Sequence, residues 1–162
     1  KADRFGLRNN DKKWLNVNDK SNIFLVGDSF VHGYSVPNKS TIASNLEETT
    51  GKNTINLGYG SNTPYEYIAV LKSIVDPIIK TSKKQNKVIL IFYSNDNVPL
   101  NIKKEKMITS VESVIKVSSD NDIEPLESYT KEIKSFISKG LASINCITSI
   151  NAISLFTTIR SL

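Results

Sequence analysis

The chain has little of the chemistry on which many metal and redox sites depend. Its 162 residues include one cysteine, Cys146, and one histidine, His32. A single cysteine excludes a disulfide within the chain, and no histidine, cysteine or carboxylate cluster has the spacing of metal ligands. No apolar run is long enough for a membrane-spanning helix, and no signal-peptide pattern occurs. The sequence therefore predicts neither a metal nor a cofactor.

The composition is typical of a soluble globular domain. Hydrophobic residues make up 39% and charged residues 23% of the chain, and the net charge is +5. The densest basic cluster stands at the end of a predicted helix, where cations favour the helix dipole. No aromatic residues alternate with these lysines, so we do not predict a nucleic-acid partner. The cluster consists of Lys80, Lys83, Lys84 and Lys87.

One stretch organises the sequence. Residues 23–26 are apolar and partly β-branched, which predicts a buried strand, and Gly27-Asp28-Ser29 follows directly. The carboxyl end of a central parallel strand is where open α/β sheets bind ligands, and a sharp turn there can expose a serine hydroxyl. The alternative is an ordinary strand-to-loop turn, which Gly-Asp-Ser also suits.

Two further strands and two helices follow in alternation. We predict strands at 22–27, 54–57 and 88–92, and a helix at 40–50 that stops at Gly51. A second helix begins at Thr63, with Pro64 in its first position and Glu66 completing a capping box, and Pro77 should kink or end it. This order predicts a parallel α/β sheet covered on both faces. The residues of the second helix expected to pack on the sheet are Ile68, Leu71, Ile74, Val75, Ile78 and Ile79.

All three predicted strands end in small or polar residues. These ends are Asp28-Ser29, Gly60-Ser61 and Asn95-Asp96. In a parallel sheet they meet at one edge, which brings together a hydroxyl, exposed backbone N–H groups and a side-chain amide. Acyl transfer needs such a set, because donors must stabilise the oxyanion of the tetrahedral intermediate. The alternative is that polar residues simply terminate strands.

These residues resemble the SGNH/GDSL hydrolases. Residues 27–30 resemble the first block of that family, residues 56–61 the second and residues 94–96 the third, while residues 3–9 are similar to a stretch that precedes the first block in a bacterial branch. The resemblance implies a flavodoxin-like three-layer α/β/α sandwich and acyl-ester chemistry. It makes Ser29 the nucleophile, with its own N–H, an N–H near Gly60-Ser61 and the Asn95 side chain as oxyanion donors.

The sequence departs from the family at several positions. Ser61 stands where the second block usually has glycine, and Tyr93 or Ser94 stands where the third block has one. The Asp-x-x-His block that supplies the family's base and acid is missing. We expect His32 to line the pocket, with Asp96 as a further substrate contact.

Asp28 also belongs to the predicted substrate side of the pocket, where we expect it to hold the turn. We divide the chain into an irregular leader at 1–20, an α/β core at 21–100, an insertion or lid at 101–127 and a helical segment at 128–162. We expect the domain to continue beyond the chain, with the catalytic histidine downstream, so that the 162 residues alone are weak or inactive.

Three functions fit these observations. The first is a serine esterase or deacetylase, acting for example on polysaccharide O-acyl groups. The second is an O-acetyltransferase with the same site, and the third is a non-catalytic carbohydrate-binding or assembly domain. The expected partner is an acyl-ester substrate, either small or polymeric, with membrane association left open through segments outside the chain. The resemblance weakly favours the cell envelope or a secreted location.

Overall fold

The computed structural model describes residues 2–96, 113, 115–117 and 122–125. In this part of the chain the fold is mixed α/β, with a three-stranded parallel sheet in the order β2-β1-β3. The strands are β1 (Asn22–Val26), β2 (Asn53–Asn56) and β3 (Lys87–Leu90). In the register of the sheet, Phe24 of β1 lies beside Ile55 of β2 and Val88 of β3. The predicted parallel sheet is confirmed, and the structure adds that the first strand lies between the other two.

Helices connect the strands. Helix α1 follows β1 directly, α2 leads into β2, and a longer helical run leads into β3. The N-cap of α2 is Thr41, whose hydroxyl accepts a hydrogen bond from the Ser44 N–H, and the helix ends at Gly51 with a φ of 64°, as predicted. The helices are α1 (Ser29–His32), α2 (Ile42–Thr50), α3 (Pro64–Val70), a π-helical segment (Leu71–Val75) and α4 (Asp76–Thr81).

The capping box at the start of α3 is present, since the Glu66 carboxylate accepts the Thr63 N–H at 2.8 Å. Ahead of Pro77 the helix widens into a π turn, in which the Asp76 N–H bonds to the Leu71 carbonyl. Proline has no N–H to donate into the preceding turn, so the hydrogen-bond register changes there. The regular part of the helix therefore ends ahead of Pro77, as predicted, although the helical run continues through α4 to Thr81.

The side chains of β1 alternate between two cores. Phe24 and Val26 pack with buried residues of α3, the π segment and α4, whereas Leu25 packs with Val31 and with Ala43 of α2. The prediction that Ile68 and Ile79 pack on the sheet is wrong, because they are 45% and 41% exposed. Both lie at the flanks of the apolar stripe, while its centre is buried. The buried centre of the stripe comprises Tyr67, Val70, Ile74, Val75 and Ile78.

Strand β3 differs from the prediction. The sequence predicted a buried strand through Phe92, but β3 ends at Leu90, and Val88, Leu90 and Phe92 are 41%, 51% and 55% exposed. Within the described residues β3 is an edge strand. Its other face is partly covered, because Ile89 and Ile91 pack against the core that contains Leu25.

The leader is more ordered than predicted. It contains two short 3₁₀ helices, Asp11–Trp14 and Val17–Asp19. The buried Asp3 carboxylate accepts hydrogen bonds from the backbone N–H groups of Phe5 and Leu7 and from the side chains of Asn9 and Trp14. Burial raises the pKa of Asp3, and these four bonds oppose that rise. The donors lie 2 to 11 positions after Asp3 in an irregular segment, and hydrophobic periodicity carries no signal for such an arrangement.

A two-stranded antiparallel hairpin lies within the predicted insertion. Its strands are β4 (Ile115–Val117) and β5 (Ile123–Pro125). Ile115 and Ile123 are buried in the main core, and the Arg4 guanidinium donates to the Ile123 carbonyl at 2.8 Å. The predicted helical segment at 128–162 lies outside the described residues. None of the helices described has the length and apolar character needed to cross a membrane.

Candidate functional site at the carboxyl ends of the strands

The turn after β1 is held by Asp28. Its carboxylate accepts the Phe30 N–H at 2.9 Å, and the residue is only 2% exposed. This confirms the turn-holding role expected of Asp28. Ser29 is the first residue of α1, and its half-buried hydroxyl lies 3.4 Å from the second oxygen of Asp28. No acceptor among the described residues bonds to the Ser29 N–H, as expected at the first position of a helix.

Two glycines allow α1 to lie directly against the strand ends. A Cβ atom on Gly27 would lie 2.4 Å from Val31 Cγ2, and one on Gly58 would lie 2.5 Å from Val31 Cβ and 2.6 Å from the His32 nitrogen. Real side chains cannot approach so closely without displacing the helix. The position of Ser29, at the start of α1, therefore depends on both glycines.

The loop after β2 runs beside the turn that holds Ser29. The Tyr59 N–H donates to the Gly27 carbonyl at 3.2 Å. The buried Asn56 side chain donates to the Val31 carbonyl at 2.8 Å and accepts the Gly58 N–H at 2.9 Å. Asn56 thereby joins the end of β2 to α1. Asn56 begins the second block of the resemblance, and sequence analysis predicts no role for it, although an amide at the end of a buried strand is a usable signal.

The two residues predicted to donate backbone N–H groups follow this loop. Nothing lies within 4 Å of a Cβ placed on Gly60, so the space there is open. Ser61 has a φ of 68°, in the left-handed region that favours glycine. Ser61 therefore has the left-handed backbone conformation that the family's usual glycine at this position would adopt easily.

The next residue, Asn62, is 3% exposed, and neither polar atom of its amide has a hydrogen-bond partner within the part of the chain described. Buried amides are normally paired. Sequence reasoning passed over Asn62, and only its burial in the fold distinguishes it from an ordinary loop asparagine.

The exit of β3 lies on the other side of β1. The Ile91 N–H donates to the Val26 carbonyl at 2.9 Å, and the rings of Phe30 and Tyr93 are 4.3 Å apart. A 3₁₀ turn follows at Ser94–Asp96 and contains the backbone of Asn95. The structure thus brings the three strand exits together around β1. The donor role expected of the Asn95 side chain stays a prediction.

Asp96 is buried beneath this turn, with 2% exposure. One oxygen of its carboxylate accepts the Tyr93 N–H and the Tyr67 hydroxyl, each at 2.7 Å. Burial, followed by the bond to Asp96 and the charges of Asp96 and Asp28, raises the pKa of Tyr67 strongly. The phenol therefore keeps its proton and donates a hydrogen bond to Asp96. These contacts place Asp96 in the scaffold under the site, and sequence reasoning missed Tyr67.

His32 lies at the other end of α1 from Ser29. Its ring is 4.8 Å from that of Tyr34 and 5.4 Å from that of Tyr59. Burial, and secondarily the charge of Arg8, lower the pKa of His32, which favours the neutral imidazole. Its Nδ1 is buried without a partner in the described chain, and no hydrogen bond joins it to Ser29 there. His32 and Tyr34 line a cavity of about 260 Å³ together with leader residues, but Ser29 and the 60–61 loop are not part of that lining, so the expected place of His32 in the acyl pocket stays a prediction.

No family model matches this chain, and no curated protein or solved structure matches it either. Within the described ranges, no group of three or more histidine, cysteine or carboxylate side chains could hold a metal ion. The geometry of the strand exits is therefore the feature that indicates a function.

Proposed function

We propose that this chain carries a serine-dependent acyl-ester site of the SGNH/GDSL type, on a flavodoxin-like three-layer sandwich. The observation that carries the proposal is the convergence of the strand exits on Ser29. Its hydroxyl is half exposed at the start of α1, and the loop bonded to the neighbouring Gly27 leads into the open space at Gly60. Ester hydrolysis and transfer to a sugar hydroxyl would use the same residues.

In this proposal the Ser29 oxygen gives its proton to a base and attacks the acyl carbon. The bond to the alcohol oxygen breaks as the tetrahedral intermediate collapses, and the alcohol leaves with that proton. Water or a sugar hydroxyl then takes the acyl group from Ser29. The Ser29 N–H and an N–H of the 60–61 loop would stabilise the oxyanion, together with the Asn95 amide. Each such donor contributes about 3 kcal/mol to transition-state stabilisation. Phe30 directly follows Ser29, and its exposed ring lies 4.3 Å from the exposed ring of Tyr93. This aromatic surface favours a saccharide as the carrier of the acyl group.

The serine needs a base to accept its proton, and the hydroxyl is bonded only to Asp28, at a long 3.4 Å, among the described residues. We therefore expect the 162-residue chain to react slowly. The lack of a base bonded to Ser29 among the described residues also favours the second candidate, a non-catalytic carbohydrate-binding or assembly domain with the same fold.

A fluorophosphonate probe separates these two functions. We expect slow covalent labelling that disappears in Ser29→Ala and persists in His32→Ala, because His32 is not bonded to Ser29. Loss of labelling in His32→Ala would identify His32 as the base. Labelling that is unchanged in Ser29→Ala would refute the proposed nucleophile. A complete lack of labelling in folded protein would favour the binding domain.

A further inference from the structure

A second cavity, of about 520 Å³, lies between leader residues 8–13 and α2. We call it the leader groove. Its lining contains none of the residues placed at the strand exits, and Ala43 is its one apolar member. The volume lies within the range of small-molecule sites. Apart from Glu47, the remaining lining is cationic, amide or hydroxyl, which suits a ligand rich in hydroxyl groups.

The leader groove carries uncompensated positive charge. Three cations line it, and Glu47 is its single carboxylate. That carboxylate is bonded to Lys13, which also donates to the Thr54 carbonyl at 2.6 Å. The two remaining cations are Arg8 and Lys12.

The guanidinium of Arg8 donates only to neutral oxygens, among them those of Asn38 and Val36 at 2.8 and 2.5 Å. Within the ranges the structure describes, neither Arg8 nor Lys12 forms an ion pair. The groove therefore has two cationic side chains without a carboxylate partner, which raises the local concentration of anions.

The kind of anion follows from what the lining lacks. It contains no aromatic side chain on which a nucleobase could stack, and too little apolar surface for a lipid tail. Amide and hydroxyl side chains instead offer paired donors and acceptors to a sugar. These side chains include Asn10, Asn38, Thr41, Ser44 and Asn53. We infer that the leader groove binds an anionic saccharide, whose carboxylate or phosphate lies near Lys12 and Arg8.

Isothermal titration of the full 162-residue chain tests this inference. The probes are trigalacturonate for a carboxylate and glucose 6-phosphate for a phosphate, with maltotriose and inorganic phosphate as the neutral and sugar-free controls. We expect one anionic saccharide to bind at least about tenfold more tightly than either control. Whichever of the two binds identifies the anionic group.

Variants locate the binding. Lys12 is exposed, so Lys12→Gln should fold normally and weaken binding about fivefold, the effect of one charge in a partly exposed site. Lys84 is equally exposed and lies outside the groove, so Lys84→Gln should change affinity by less than about twofold. Equal binding of maltotriose or of inorganic phosphate, equal effects of the two lysine variants, or no binding at all would overturn the inference.

Discussion

The side-chain amide of Asn9 pairs with both hydrogen-bonding groups of the Asn56 main chain. Its oxygen accepts the Asn56 N–H at 2.8 Å, and its nitrogen donates to the Asn56 carbonyl at 2.9 Å. A neighbouring strand would make the same two bonds, and among the described residues β2 is the edge strand on this side of the sheet. The Asn56 side chain in turn bonds to α1. The leader is thereby connected, through one residue of β2, to the helix that begins with Ser29.

Replacing Asn9 tests this connection. The amide nitrogen of Asn9 donates to the Asp3 carboxylate and to the Asn56 carbonyl. Asn9→Asp replaces that nitrogen with a carboxylate oxygen, which cannot donate and faces two acceptors. We expect a loss of about 3 kcal/mol in the free energy of unfolding, measured with urea, and about 2 kcal/mol for Asn9→Ala. Asn45 is exposed on α2, so Asn45→Asp is the matched control and should change stability little. Equal effects at the two positions would contradict the proposed role of Asn9.

Alanine should have different effects on stability at the two glycines of the loop after β2. Gly58→Ala places a methyl group 2.5 Å from Val31 and should cost about 3 kcal/mol or displace α1. Gly60→Ala meets no atom within 4 Å and should cost less than about 1 kcal/mol, keeping its N–H for the oxyanion. Urea unfolding and fluorophosphonate labelling of both variants check these outcomes. Comparable destabilisation of the two would show that α1 does not pack on Gly58 as described.

The elements that the sequence predicted best have local signals. The capping box of Thr63 and Glu66, the stop at Gly51 and the apolar run of β1 all act within a few residues, so neighbouring side chains are enough to specify them. The parallel order of the strands followed from the alternation of strands and helices. The coincidence of their polar ends at one edge could be predicted for the same reason.

The contacts that fix the site depend on residues far apart in the chain. The Asn9–Asn56 pair spans 47 positions, and the Tyr67–Asp96 bond spans 29. No periodicity connects such partners before the fold is known. Helix α1 was also missed, because four residues are too short for a helical pattern. The exposure of β3 could not be predicted either, since its apolar run suits a central strand as well as an edge strand.

Ser61 adopts a backbone shape that a side chain disfavours, with a φ of 68°. Ser61→Gly should remove that strain and raise the free energy of unfolding by about 0.5 kcal/mol, after the entropy that glycine adds to the unfolded chain is subtracted. Ser61→Val should lower it by about 2 kcal/mol, because β-branched residues tolerate positive φ poorly. The serine hydroxyl is exposed, so its loss alone should matter little. A loss of stability in Ser61→Gly would show that the side chain is needed.

Tyr67 makes the stability of the fold sensitive to alkaline pH. Burial and the charge of Asp96 raise the pKa of its phenol above the ordinary value of 10.0, so the folded state favours the protonated form. This contribution is fully present below pH 10, and it decreases as the pH rises from the unfolded pKa towards the folded one, by up to about 1.4 kcal/mol per pH unit.

Tyr67→Phe should be about 2 kcal/mol less stable at pH 8, because Asp96 loses a donor. Its stability should then fall less steeply than that of the natural chain between pH 10 and pH 11. The control is Tyr34→Phe, whose ring is 74% exposed and which should retain the steep fall. Parallel pH profiles for the natural chain and Tyr67→Phe would mean that the phenol is not bonded to Asp96 beneath the Ser94–Asp96 turn.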